Sequence, residues 1–128
     1  MVKNKAIRIE VLGIDEVTRL LKDKNKEALA NAQTAIKKAT IFLEAEVKAS
    51  VAGRRAEIRS VDTSRFLNSI SSESTGLDGS VYSNVEHAAF LEFGTSKLKE
   101  RRHFRNSKAR NEDKIKKFVE DEIAKISN

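Results

Sequence analysis

Apolar residues alternate with charged ones near the start of the chain: in KAIRIEVLG, Ile7, Ile9 and Val11 are separated by Arg8 and Glu10. A period of two is that of a half-buried strand, so the pattern predicts a first strand ending at Gly13. The period then changes. In NKEALANAQTAIKKATIFLEAEVKASV, the residues Leu29, Ala32, Ile36, Ala39, Leu43, Val47 and Val51 recur at intervals of three and four. That spacing predicts a long amphipathic helix over 26–51. Between the two, Asp15 stands where an N-cap would open a short helix through EVTRLLK.

A second row on the long helix, Ala28, Ala35, Phe42 and Ala49, repeats every seven residues, with Ala45 and Ala52 widening the apolar surface. It fits either the high helix propensity of alanine or a contact between subunits. The polar AGRRAEIRS that follows reads as a mobile loop or edge segment, with Gly53 closing the helix. In DTSRFLNSI, the residues Phe66, Leu67 and Ile70 share a face behind the cap candidates Asp62 and Thr63. ISSEST, the turn GLDG and GSVYSNV then read as a hairpin in which Gly76 and Gly79 supply backbone freedom. Near the end, Ile115, Phe118, Val119, Ile123 and Ile126 lie on one helical face, and Glu112 and Asp113 favour that helix's N-terminus.

These elements predict a single α+β domain over 1–128. Its largely antiparallel sheet has about four strands, with the 26–51 helix packed across it and the C-terminal helix alongside. At 128 residues the chain buries a core, and its low aromatic content makes Leu, Ile, Val and Ala the material of that core. No apolar run approaches a membrane span and no signal-peptide core is present, so the reading is of a protein neither exported by such a peptide nor inserted in a membrane.

Charge changes the picture once it is localised. The net +6 is carried by 97–110, where Lys97, Lys99, Arg101, Arg102, Arg105, Lys108 and Arg110 face the single acid Glu100. The rest of the chain holds 18 basic and 18 acidic residues. One basic segment on a neutral domain is a weaker statement than a basic protein, and a high isoelectric point alone does not make a nucleic-acid binder.

Candidate chemistry is sparse. With no cysteine, neither a disulfide framework nor a thiolate metal site is available. His87 and His103 lack a second histidine at ligand spacing, so no metal site is expected. There is no nucleophile elbow and no glycine-rich phosphate loop, and Glu92 is a lone acid beside aromatic residues rather than half of a carboxylate pair. Neither a catalytic residue nor a cofactor is expected.

The densest signal is HAAFLEFGTSKLKERRHFRNSKAR, an apolar stretch joined abruptly to a basic one. His87 to Phe93 reads as a short buried element, helical by the spacing of Phe90 and Phe93, which Gly94 ends in a left-handed conformation. Thr95 and Ser96 then begin an extended basic arm with Phe104 as an apolar anchor among charges. An ordinary solvated loop fits the same residues.

VDTSRFLNSI, then GSVYSNVEHAAFLEFGTSKLKERRHFRNS, then a terminal amphipathic helix resembles the tail-completion, or minor tail component, family of long-tailed bacteriophages and prophages. Thr63, Leu67, Ser69 and Ile70 match that family's TGxLxxSI segment. Ala88, Leu91, Glu92, Phe93, Gly94 and Thr95 match its YAxxVEFGT block. Ser64 stands where the family favours glycine and His87 where it favours tyrosine. ERRHFRNS lacks both prolines of the family's ARPFLxPA block.

The resemblance implies a non-catalytic subunit of the virion, assembled in the host cytoplasm. It would form a homo-oligomeric neck ring between the head-side connector or stopper and the tail terminator or tail tube. Its motif would be Glu92, Phe93, Gly94 and Thr95. Its arm, Lys97, Lys99, Arg101, Arg102, Phe104 and Arg105, would lie across a neighbour or face the DNA passage, with transient DNA contact. The alternative is a small basic nucleic-acid-binding module that uses 97–110 to neutralise phosphates.

Overall fold

The computed structural model describes residues 7–21, 25–60 and 64–125; the cap candidates Asp62 and Thr63 and the apolar position Ile126 lie outside them. The elements follow in the order β1 (Ile7–Glu10), α1 (Ile14–Leu20), α2 (Lys26–Val51), α3 (Arg65–Ser69), β2 (Ser71–Thr75), β3 (Asp78–Ser83), α4 (Ala88–Phe93) and α5 (His103–Ile123).

The architecture is α+β, with three strands among the described residues rather than about four. They are ordered β1-β3-β2 and antiparallel throughout. Ile9 and Ser72 flank Val81 from either side. After Ser83 the chain leaves the sheet and turns into α4 instead of pairing again, so no further strand follows the hairpin among the described residues. The hairpin connection is two residues long, Gly76 and Leu77, and only Gly76 needs positive φ, at 60°. Gly79 has a different job from the one its sequence context suggested. It lies in β3 under α2, where an added Cβ would meet Thr40 Oγ1 at 2.1 Å.

α2 is capped by Asn25, whose side chain accepts the Ala28 N–H at 2.8 Å. Its inner positions are buried as the spacing predicts, except that Ala28 rather than Leu29 opens the stripe and Leu29 is 39% exposed. α5 runs antiparallel beside it: Asn31 Nδ2 donates to the Lys125 carbonyl at one end, and Ser50 meets His103 at the other. Ala28 and Ala35 of the seven-residue row are buried in the core; Ala45, Ala49 and Ala52 line a shallow groove with Leu67. α1 begins at Ile14, one residue before the predicted cap. The Val17 N–H bonds to the Gly13 carbonyl, and Asp15 lies within the first turn.

The greater departures lie in the two segments read as loop and arm. AGRRAEIRS is tied down: Gly53 turns at φ 83°, the Arg54 N–H reaches the Ala49 carbonyl, and the Ser60 N–H reaches the Val51 carbonyl. The extended basic arm over 97–110 is two things, a loop to Arg102 and the first two turns of α5, which starts twelve residues before Ile115, the first residue of its apolar pattern. No helix among the described residues is long and apolar enough to cross a membrane.

Candidate functional site

α4 inverts the expectation for the apolar stretch. Phe90 is 52% and Phe93 53% exposed, while the inward positions are Ala88 and, at 1% exposure, Glu92. A carboxylate does not enter a protein interior without partners, and those of Glu92 come from α5. Its Oε1 accepts the Phe104 N–H at 2.9 Å, and its Oε2 accepts the Arg105 N–H at 2.9 Å and the Arg105 Nε at 3.1 Å. Arg105 also donates to the Glu92 carbonyl at 2.6 Å.

The N-cap position of α5 is Arg102, in the left-handed region at φ 56°, with no capping side chain of its own. Glu92 therefore does from another helix what a cap residue ordinarily does, satisfying two of the unpaired N–H groups and placing a negative charge at the positive end of the helix. The lone acid of the sequence is a tertiary helix cap.

The rest of the motif serves the same junction. Gly94, at φ 78° and ψ 174°, lets the chain fold back so closely that a Cβ there would lie 2.8 Å from both the Glu100 nitrogen and the Leu98 carbonyl oxygen. Thr95 Oγ1 accepts the N–H of Lys97 and of Leu98, and the Thr95 N–H bonds to the Leu98 carbonyl, closing a turn. The chain then returns beside α4, where the Arg101 N–H reaches the Leu91 carbonyl at 2.7 Å. Phe93 remains outside with the Arg105 guanidinium 4.5 Å from its ring centroid.

The basic residues divide by environment. Lys97 and Lys99 are exposed on the turn, and Arg102 is exposed with Glu100 at 3.5 Å. Arg105 is spent on Glu92 and Glu100, and Arg110 grips Glu57 with two bonds of 3.1 and 3.2 Å. Arg101 donates to the Arg59 carbonyl and to Ser60. Phe104 is wholly buried, packed against Phe66 with ring centroids 6.5 Å apart. It is a core residue rather than an anchor in an arm, because the early start of α5 turns it inward.

Sequence reasoning missed a second cluster, around His103 and Glu57. The Glu57 side chain is 3% exposed. Burial by itself raises its pKa, but hydrogen bonds from Arg110, Ser50 and Asn106 outweigh that and hold it at about 2. It is therefore ionised and only accepts. Ser50 gives its one hydroxyl proton to Glu57 at 2.6 Å, so the Ser50 oxygen must receive the His103 Nδ1–H at 2.8 Å. His103 Nε2 is then an acceptor, facing Ser60 at 2.7 Å, and Ser60 in turn accepts from Arg101 at 3.0 Å.

Burial, together with Arg101 and against the pull of Glu57, lowers the His103 pKa to about 4, which agrees with the neutral tautomer that the bonding requires. The chain from Arg101 to Glu57 orders hydroxyl, imidazole and carboxylate groups, but the Ser60 oxygen is already committed to Arg101. Its effect is to fasten the 53–60 loop between α2 and α5. The only sequence signal for it was His103 within the basic run, and nothing there indicated Ser50, Glu57 or Ser60 as partners.

A family model described as "Bacteriophage HK97-gp10, putative tail-component" matches residues 15–94, from the first turn of α1 to the glycine that ends α4. No curated protein and no solved structure matches the chain.

Proposed function

This chain belongs to the HK97-gp10-like family of bacteriophage tail components, and from that premise we propose that it is a structural subunit of a neck or tail-completion ring. In this reading copies of the chain form a homo-oligomer in the virion between the head-side connector or stopper and the tail terminator or tube, with DNA passing through the lumen. The protein performs no catalysis and takes no cofactor.

The observation that carries the reading is the family match together with what its motif builds. Glu92, Gly94 and Thr95 are spent on a rigid junction between α4 and α5, and that junction holds two phenylalanines outward. Rigid presentation of apolar side chains suits a protein that works by contact, because little ordering entropy is left to lose on association. The nucleic-acid alternative is weakened by the internal engagement of Arg101, Arg105 and Arg110, which removes three cations from the free phosphate-binding set.

Native mass spectrometry of the purified protein, alone and with connector and tail proteins, tests the reading. The expected result is a discrete homo-oligomer that joins a tail or connector component. A chain that stays monomeric in every mixture, in particles completed without it, contradicts the proposal.

A further inference from the structure

Two exposed apolar patches differ in the sign of their charge. On α4, Phe90 and Phe93 are three residues apart and so share a face, and the turn that Gly94 opens carries Lys97 and Lys99, both exposed and without an ion pair among the described residues. Of the acids nearby, Glu92 is occupied by α5 and Glu100 by Arg102 and Arg105, which leaves the exposed Glu86 against Lys97 and Lys99 and the patch with an excess of positive charge. At the start of α1, Ile14 is 52% exposed and followed by the exposed acid Asp15; the exposed Glu10 ends β1 four residues earlier, and the exposed Arg19 stands one turn after Asp15.

The aromatic face and the first turn of α1 lie apart. Arg105 stacks on Phe93 while Lys116 pairs with Glu16, and these two residues of α5 are eleven positions apart, or roughly 16 Å at 1.5 Å per residue.

We infer that these patches are the two halves of one interface between copies of this chain, the Phe90 and Phe93 face of one copy seating on Ile14, Asp15 and Glu10 of the next. Apolar surface meets apolar surface, and Lys97 and Lys99 meet carboxylates. The aromatic patch suits its own copy less well, since a self-contact brings together two surfaces that each carry an excess of positive charge. A contact between two different patches is head-to-tail, and it propagates until the rotation closes a ring. The inference rests on the ring reading and names the surfaces through which the ring forms.

The test blocks one face at a time. Phe90→Ser with Phe93→Ser removes the aromatic face, and Ile14→Ser with Asp15→Lys removes the acidic one; all four side chains are at the surface, and thermal melting checks that each variant is folded. In native mass spectrometry each variant alone is expected at the mass of one chain. An equimolar mixture is expected to give a species of twice that mass and nothing larger, because one intact copy of each face remains. Lys97→Glu with Lys99→Glu is expected to abolish self-assembly likewise and to regain it when Asp15→Lys and Glu10→Lys are introduced in the same chain. A wild-type oligomer that both blocked variants still form, or a mixture that stays monomeric, overturns the interface and leaves the ring reading standing. A wild type that is monomeric alone and with tail proteins overturns the ring reading, and the interface with it.

Discussion

Glu92 shows how much one side chain can be asked to hold. Its carboxylate accepts two backbone N–H groups of α5 and the Arg105 guanidinium while almost fully buried. Glu92→Ala leaves the two N–H groups without this partner and the Arg105 guanidinium with only the residue-92 carbonyl and Glu100, and should cost about 3 kcal/mol, read from the denaturant midpoint. Ser64 makes the opposite case. It opens α3 at φ 66°, a left-handed conformation that is costly for any side chain, and it occupies the position at which the resembling family has glycine. Ser64→Gly should therefore raise stability by about 0.5 to 1 kcal/mol, the relief of strain exceeding glycine's extra entropy in the unfolded chain; an unchanged or lower melting temperature contradicts this. His103 sets a pH dependence. Unfolded, it binds its proton near pH 6.5, but burial delays this in the folded protein to about 4. Between those values the unfolded chain holds more protons, so stability should fall by up to about 3 kcal/mol as pH drops from 6.5 to 4. Glu57, held at about 2 rather than 4.5, extends the loss below pH 4.5. Urea midpoints measured at intervals of pH should show this slope, and His103→Gln, less stable at pH 7, should flatten it between 6.5 and 4.

Elements meet here through small residues at close approach. α2 comes down on the sheet over Gly79, and Thr40 Oγ1 is held there by its own bond to the Ile36 carbonyl at 2.6 Å. Gly79→Ala would force the helix away from β3 and should cost about 2 kcal/mol. Thr40→Ala in the same chain should return most of that loss, a non-additivity that a double-mutant cycle reads directly. The start of α5 is the other close junction. Its first eight residues carry Arg105, Lys108 and Arg110 and only one large apolar residue, Phe104. Their helicity is maintained from outside, by Glu92 at the N-terminus and Glu57 along the flank.

At the scale of the whole molecule, the basic segment is part scaffold and part surface. Lys97, Lys99 and Arg102 are its exposed cations whose side chains make no bond to a buried group among the described residues. Replacing these three by alanine should leave the melting temperature nearly unchanged, because exposed charges contribute little to folding. If the segment serves assembly, particle completion should fall. If it neutralises phosphates instead, binding to short duplex DNA should weaken and its dependence on salt should flatten by about 0.9 in log–log slope for each phosphate no longer neutralised. Alanine at Arg101 and Arg105 is a poorer probe, since both side chains bond inside the fold.

Local periodicity determined β1, α2 and the amphipathic core of α5, because a strand or helix with one buried face records its geometry in the spacing of its apolar residues, and the turn residues determined the hairpin. The same spacing was silent on whatever a distant partner controls. Nothing local distinguishes an arginine in solvent from Arg105 on Glu92, or a polar loop from one whose Glu57 is fastened by both α2 and α5. The EFGT block was legible as a motif and the positive φ of Gly94 as its consequence, but the inward turn of Glu92 and the outward turn of Phe90 and Phe93 were not. On hydrophobicity alone those positions would be exchanged. Only the tertiary structure decided them, because the free N-terminus of α5, brought against α4 from a later part of the chain, gives a buried carboxylate more hydrogen bonds than a phenylalanine could ever use.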